Sequence, residues 1–405
     1  MRTFKRNSVV VGAALALIVA GCATTTSPPD THAIHNAALV LDSHADVLLP
    51  ETARRYYAPD GGSRTSLAQL TSGGVDAIVL SIAVGSGPET PEGFAAAGKE
   101  ADAKLSVIRN FINASGGKVE QARTADDVER IQSAGHIAVI LGFQNARILG
   151  GDLGAFDHFY EAGVRVAALT HAGNNAFADS SRPQAGETER HHGLSPFGKD
   201  AIRRFNDLGV LFDVSQLSTP ALLQAIAMSR APVVATHSNA RALVDNARNL
   251  SDAELDAIKA NGGVVQLTPF GAYVHKPTPA ELAKPAAIRA QFGLSPSDSM
   301  GKLAPTQREQ LEEALRVARP RGTLNEYVDH IDYIVRRIGA DHVGIGTDFN
   351  HGAGIDGFDG EKDAPNVTAE LVRRGYTQKQ INAIWGGNFL RVLRAAQAAA
   401  APAAK

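Results

Sequence analysis

The chain has 405 residues, of which 44% are apolar and 20% charged. That mixture builds a sizeable core and excludes a disordered, collagen-like or coiled-coil chain. With 40 basic against 42 acidic residues there is no cationic excess to neutralise phosphates, so nucleic acid is not an expected partner. One cysteine rules out an internal disulfide framework or a cysteine-based zinc finger, and 13 histidines leave imidazole as the available metal ligand.

The amino terminus reads as an address. Arg2, Lys5 and Arg6 precede an apolar run over 9–20, and small residues lead to Gly21-Cys22. The run is shorter than the ~20 apolar residues of a membrane span. The pattern resembles a bacterial lipoprotein signal, with residues 1–21 removed and Cys22 lipidated. Residues 22–35 then form a tether containing TTTSPPD. The expected location is the bacterial cell envelope, lipid-anchored and facing the periplasm, at the outer membrane.

Eight short apolar runs follow, at 38–42, 75–84, 137–143, 164–170, 209–214, 231–236, 263–268 and 342–347. Near-continuous apolar strands belong to a parallel sheet covered on both faces. Amphipathic segments such as 197–208 and 252–261 lie between them. The alternation predicts an α/β fold, a (β/α)8 TIM-like barrel spanning residues 36–394 as one domain. Insertions follow the second run (88–117) and the seventh (272–322, with a helix near 306–317). The Ala-rich tail, 395–405, is expected to fray. No GxGxxG follows the first run, no GxSxG marks a nucleophilic serine and no P-loop is present.

Six of the runs end in polar residues, where barrel enzymes carry their catalytic groups. His44 and Asp46 are two apart, so both side chains face one way and can address one cation. His237 ends the sixth run and is the natural third ligand. Imidazole and carboxylate together suit zinc. Asp348 ends the eighth run, where a carboxylate can orient or deprotonate a water.

These stretches resemble the renal or membrane dipeptidase family of zinc peptidases, which are amidohydrolase-type barrels. The matching segments are LDSHAD (41–46), LTHAGNN (169–175), GLSPFGK (193–199), NDLGVLFDVS (206–215), APVVATHSNA (231–240), ARNLSD (247–252), DHVGIGTDF (341–349) and GGNFLRV (386–392). The resemblance implies a metallodipeptidase that cleaves the amide of a short peptide through a metal-activated water. It implies His44 and Asp46 as ligands of one zinc and His237 as a ligand of a second. Asp348 is then the acid/base residue and His171 polarises the scissile carbonyl. Arg248 binds the substrate carboxylate, with His171 and Asn350 also placed at the substrate. A homodimer is the family's usual assembly.

Two positions depart from that pattern. The family places a bridging Glu where this chain has Gln144, and a His ligand where it has Gln216. An amide offers only a carbonyl oxygen. Two divalent ions roughly 3.5–4 Å apart repel by about 18 kcal/mol at an effective dielectric of 20, and the bridging carboxylate is what offsets it. One zinc is therefore expected rather than two, with His351 and His192 as candidate substitute ligands. Two alternatives to a dipeptidase follow. One is a single-metal or metal-free variant acting on another amide, a lactam or a peptide-derived metabolite. The other is a non-catalytic peptide-binding lipoprotein.

Overall fold

The structure is a computed structural model and describes residues 29–402. The expected signal segment and Cys22 lie outside the described residues. Among the described residues nine parallel strands are present: β1 (Leu41–Asp46), β2 (Ala77–Ala83), β3 (Val119–Ala122), β4 (Ile137–Gln144), β5 (Val164–Ala168), β6 (Leu211–Asp213), β7 (Val234–Ala235), β8 (Val264–Leu267) and β9 (Val343–Ile345). Eight of them run in the order β1-β2-β4-β5-β6-β7-β8-β9, and β3 pairs with β4 outside this path. The ring is completed by a parallel bridge between Ala45 and Phe349. There the Asp46 amide donates to the Phe349 carbonyl at 3.0 Å and the Asp348 amide to the His44 carbonyl at 2.7 Å. The eight predicted runs thus form the barrel. β3 was not anticipated, because VEQA is too short and too polar to stand out from the loop after the helix Pro91–Ala114.

β1 reaches further than its apolar run. All six of its residues are buried, including His44 and Asp46. Polar residues are tolerated there because they point into the barrel mouth, where each finds a partner or a facing polar group. Gly346 shows how tightly the ring is drawn, since a Cβ would lie 1.9 Å from the Thr236 carbonyl and 2.5 Å from Ser43 Oγ. Only a residue without a side chain lets the segment after β9 approach β7 and β1.

The outer helices follow from their caps. Ser195 accepts from the Gly198 amide ahead of Pro196–Leu208, Ser251 and Glu254 close a capping box on Asp252–Ala260, and Thr323 and Glu326 close another on Leu324–Ile338. The second core cluster joins Leu41, Val79, Ile140, Val166, Leu211 and Val264 to Phe389 and Leu393 of the helix Asn388–Ala398. The long insertion holds Pro305–Ala318, as expected, and a further helix, Pro279–Gln291.

Both ends correct the sequence reading. Residues 31–35, expected in the tether, belong to the helix Thr31–Asn36, where His35 is buried between Thr368 Oγ1 (2.7 Å) and the Gly73 carbonyl (2.8 Å). The start of the expected frayed tail is helical to Ala398 because Ala396 packs into the core. Among the described residues no helix is long and apolar enough to cross a membrane.

Candidate active site

The carboxyl ends of the strands converge on one mouth. β1 supplies His44 and Asp46, β4 ends at Gln144, and Gln216, His237 and Asp348 follow β6, β7 and β9. Asn145, Gln216, Asp348 and Asn350 all have positive φ, between 56° and 73°. Left-handed backbone at non-glycine residues costs free energy, and its concentration here marks a mouth held by its surroundings.

The mouth has two halves of different character. In the first, His44 Nε2 and Asp46 Oδ1 lie 4.0 Å apart, buried, each without a hydrogen-bond partner. Asp348 Oδ1 is also 4.0 Å from His44 Nε2. Zinc binds imidazole nitrogen and carboxylate oxygen at about 2.0–2.2 Å, so one ion between these atoms reaches both. Buried polar atoms are normally satisfied, and these two fit a divalent cation. The other Asp46 oxygen faces His351 Nδ1 at 2.6 Å. Burial works to raise Asp46, but the His351 cation prevails and holds it below the usual carboxylate range. Burial works to lower His351, and the Asp46 charge holds it above the usual imidazole range. Burial pushes Asp348 up.

The second half is closed by amides. His237 Nε2 accepts from Gln216 Nε2 at 3.1 Å and faces Gln144 Nε2 at 3.4 Å. Its Nδ1 donates to Thr236 Oγ1 at 2.8 Å, and that hydroxyl donates to Asp213 Oδ2 at 2.6 Å. This chain fixes the tautomer: Nδ1 carries the proton and Nε2 accepts. Burial pushes His237 well below the ordinary imidazole range, so it stays neutral. His44, Asp213 and His237 also come together as a buried trio. Asp213, however, already accepts from the Ser215 amide, the Thr236 amide and the Thr236 hydroxyl. It serves as the anchor of the histidine rather than as a free ligand.

The remaining candidates divide. Arg248 is 3% exposed, donates to the His237 carbonyl at 3.1 Å and lies over the Tyr273 ring, while its Nε has no partner. His171 faces His351 edge-on at 5.1 Å, its Nδ1 unpartnered. Burial, reinforced by the His351 and Arg182 charges, pushes His171 well below its ordinary value. Asn350 is held by its neighbours: its amide donates to the Asp46 carbonyl, Ser63 Oγ and Thr65 Oγ1, and its oxygen accepts from the Arg64 amide. It positions the loop while also lining the larger cavity beside His351. His192 is corrected, since its side chain is 88% exposed beside Glu189, facing solvent. His351 does reach the site.

Two clefts open onto these groups. A cavity of about 530 Å³ is lined by Asp46, Tyr56, Lys104, His171 and His351. A smaller one of about 170 Å³ is lined by Arg182, Gln216, Arg248, Tyr273 and Asp348. Lys104, Arg182 and Tyr273 were not anticipated. Lys104 sits inside a long amphipathic helix and Arg182 in a loop with no motif, so only the tertiary fold brings them to the mouth.

Comparison with known proteins bears on the family and the fold. Residues 29–405 match the model of the membrane dipeptidase family, peptidase family M19. A dipeptidase, tcpJ, from Claviceps purpurea (strain 20.1) is 30% identical over 299 residues, covering 74% of this chain and 60% of the relative. The curated dipeptidases verJ and aclJ give similar figures, so the chain spans roughly 59–63% of the length of these relatives. The crystal structure of the probable dipeptidase PvdM from Pseudomonas aeruginosa superposes with a TM-score of 0.79 at 37% identity, covering 91% of this chain and 98% of the other. A metallopeptidase from Rhodobacter sphaeroides, solved with a phosphinate mimic of L-Ala-D-Ala, shares the fold with a TM-score of 0.70 at 22% identity, covering 89% of this chain and 99% of that one.

Proposed function

Because the chain belongs to the membrane dipeptidase family, peptidase family M19, we propose that it is a lipid-anchored, single-zinc dipeptidase of the bacterial cell envelope. One observation carries the metal count. The two unpartnered ligand atoms, His44 Nε2 and Asp46 Oδ1, lie in one half of the mouth, while His237 Nε2 is occupied by amides in the other. Gln144 and Gln216 bring no negative charge, so neither supplies a bridging carboxylate to offset the repulsion between two divalent ions.

His44 and Asp46 would hold the ion, which supplies Lewis-acid polarisation of water and of a carbonyl oxygen when bound. The chain's own groups do the rest. His351 steadies Asp46 through the second carboxylate oxygen. Asp348, raised by burial, carries a proton between the attacking water and the leaving amine. His171, kept neutral, turns an N–H toward the carbonyl oxygen as negative charge develops there. Arg248, fixed between the His237 carbonyl and Tyr273, meets the terminal carboxylate with its planar fork.

The test is a panel of dipeptides incubated with purified protein, with and without chelator and with zinc restored. Amino-acid release that chelator removes and zinc restores supports the proposal. Zinc-loaded protein that binds peptides without cleaving any contradicts it. A second reading follows from the same closed half: a one-metal centre acting on another amide, such as a lactam, which the panel separates by including cyclic amides.

A further inference from the structure

The smaller cleft has a charge pattern that a simple dipeptide leaves unmatched. Arg55, Arg182, Arg248 and Arg319 line it, and Asp348 is its one carboxylate. Arg55 and Arg319 also face Glu309, Glu312 and Glu313 across a neighbouring cleft, so their charge is partly answered. Arg182 and Arg248 have no carboxylate within 4.0 Å among the described residues.

Arg182 is held in a way that leaves its fork available. Its Nη2 reaches Gln216 Oε1 at 3.3 Å and its Nη1 reaches Tyr273 Oη at 3.4 Å, while Nε is buried without a partner. Both contacts are longer than ordinary N–H···O bonds, which fall at 2.7–3.2 Å. Tyr273 stands between the two guanidiniums, bonded to Arg182 by its hydroxyl and covered by Arg248 on its ring face. Phe270, stacked on Tyr273 at 4.3 Å, stiffens the platform. Two like charges converging on one ring repel unless an anion comes between them, and a fork with open N–H groups is a carboxylate receptor.

We propose that Arg182 and Arg248 form a two-site clamp for a substrate whose leaving residue carries a second carboxylate, as in a dipeptide ending in glutamate or aspartate. Arg248 takes the α-carboxylate and Arg182 the side-chain carboxylate. This rests on the reading of Arg248 given under the proposed function. Glutamine in place of that glutamate keeps the shape of the side chain and removes its charge, so the pair isolates the contribution of Arg182.

The experiment is calorimetric titration of the zinc-loaded protein with phosphinate analogues of Ala-Glu and Ala-Gln, which are not cleaved. The expected result is at least tenfold tighter binding of the glutamate analogue. Arg182→Gln should reduce that preference to under twofold while changing the affinity for the glutamine analogue by less than threefold. Arg182→Lys, which keeps the charge without the fork, should retain a preference of at least threefold. Equal affinities in the unmodified protein, a preference that survives Arg182→Gln, or no binding of either analogue would overturn the clamp. Hydrolysis of Ala-Glu and Ala-Gln is measured in parallel. A binding preference with no hydrolysis of either peptide upholds the clamp and removes the dipeptidase reading. Hydrolysis of both with equal affinities removes the clamp alone.

Discussion

Gln216 donates its side-chain amide to His237 Nε2 across 3.1 Å. That bond uses the one lone pair with which the histidine could hold a metal. With Gln144 Nε2 at 3.4 Å on the same atom, the metal-facing nitrogen of His237 is engaged by two amides.

Restoring ligands at both positions should reverse this. Gln144→Glu combined with Gln216→His supplies a bridging carboxylate and an imidazole, and frees His237. We expect the zinc content of purified protein to rise from one to two per chain, read by elemental analysis. Gln216→His alone should leave it at one, because the inter-ion repulsion is still unscreened.

The loop that carries Arg248 should be sensitive to acid. His330 Nδ1 accepts from the Ala240 amide at 3.1 Å, and Nε2 donates to the Val274 carbonyl at 3.3 Å. Burial pushes His330 down to about 4. A histidine whose folded value is depressed stabilises the fold above its unfolded value, near 6.5, and that stability is lost as pH falls toward 4. The loss reaches about 3 kcal/mol at 1.36 kcal/mol per unit. Urea unfolding at pH 7 and pH 4.5 measures it. In His330→Asn the component of the pH dependence between 6.5 and 4 should flatten, although the variant starts from a lower stability.

Asp76 acts with the opposite sign. Its carboxylate accepts from the Val40 amide at 2.8 Å, and burial pushes it up to about 6. A raised carboxyl favours the fold while protonated, and that contribution disappears as pH rises from about 4 through 6. Asp76→Asn keeps the acceptor and removes the charge. It should stabilise the protein at pH 8 by about 1–2 kcal/mol, allowing for partial exposure, and have little effect at pH 4.

Attachment to the membrane should depend on a single atom. On the proposed lipid-anchored reading, Cys22, which follows Ala20-Gly21, is the residue that carries the lipid. Cys22→Ser should move the protein from the membrane fraction to the soluble periplasmic fraction, read by immunoblot of fractionated cells. Retention in the membrane fraction would contradict the lipid anchor.

Much of the site was legible because it lies at the ends of apolar runs. His44, Asp46, Gln144, Gln216, His237 and Asp348 each follow or end a strand, and parallel topology brings such ends to one mouth. Direction was harder to read. Asn350 sits beside Asp348 in sequence, yet its side chain turns back onto Asp46, Ser63 and Thr65. His351 was placed near the site, but not its pairing with Asp46, because alternating positive-φ residues at 348 and 350 break the two-residue rhythm of a strand. Arg182 comes from a loop and Tyr273 from the four-residue helix Gly271–Val274, and the two meet only through the fold.

The most direct test of the account is the zinc stoichiometry of the purified protein, measured beside that of His44→Ala. The account predicts one zinc per chain in the unmodified protein and less than a tenth of that in the variant. Two firmly held zinc ions per chain, or an unchanged zinc content in His44→Ala, would contradict it.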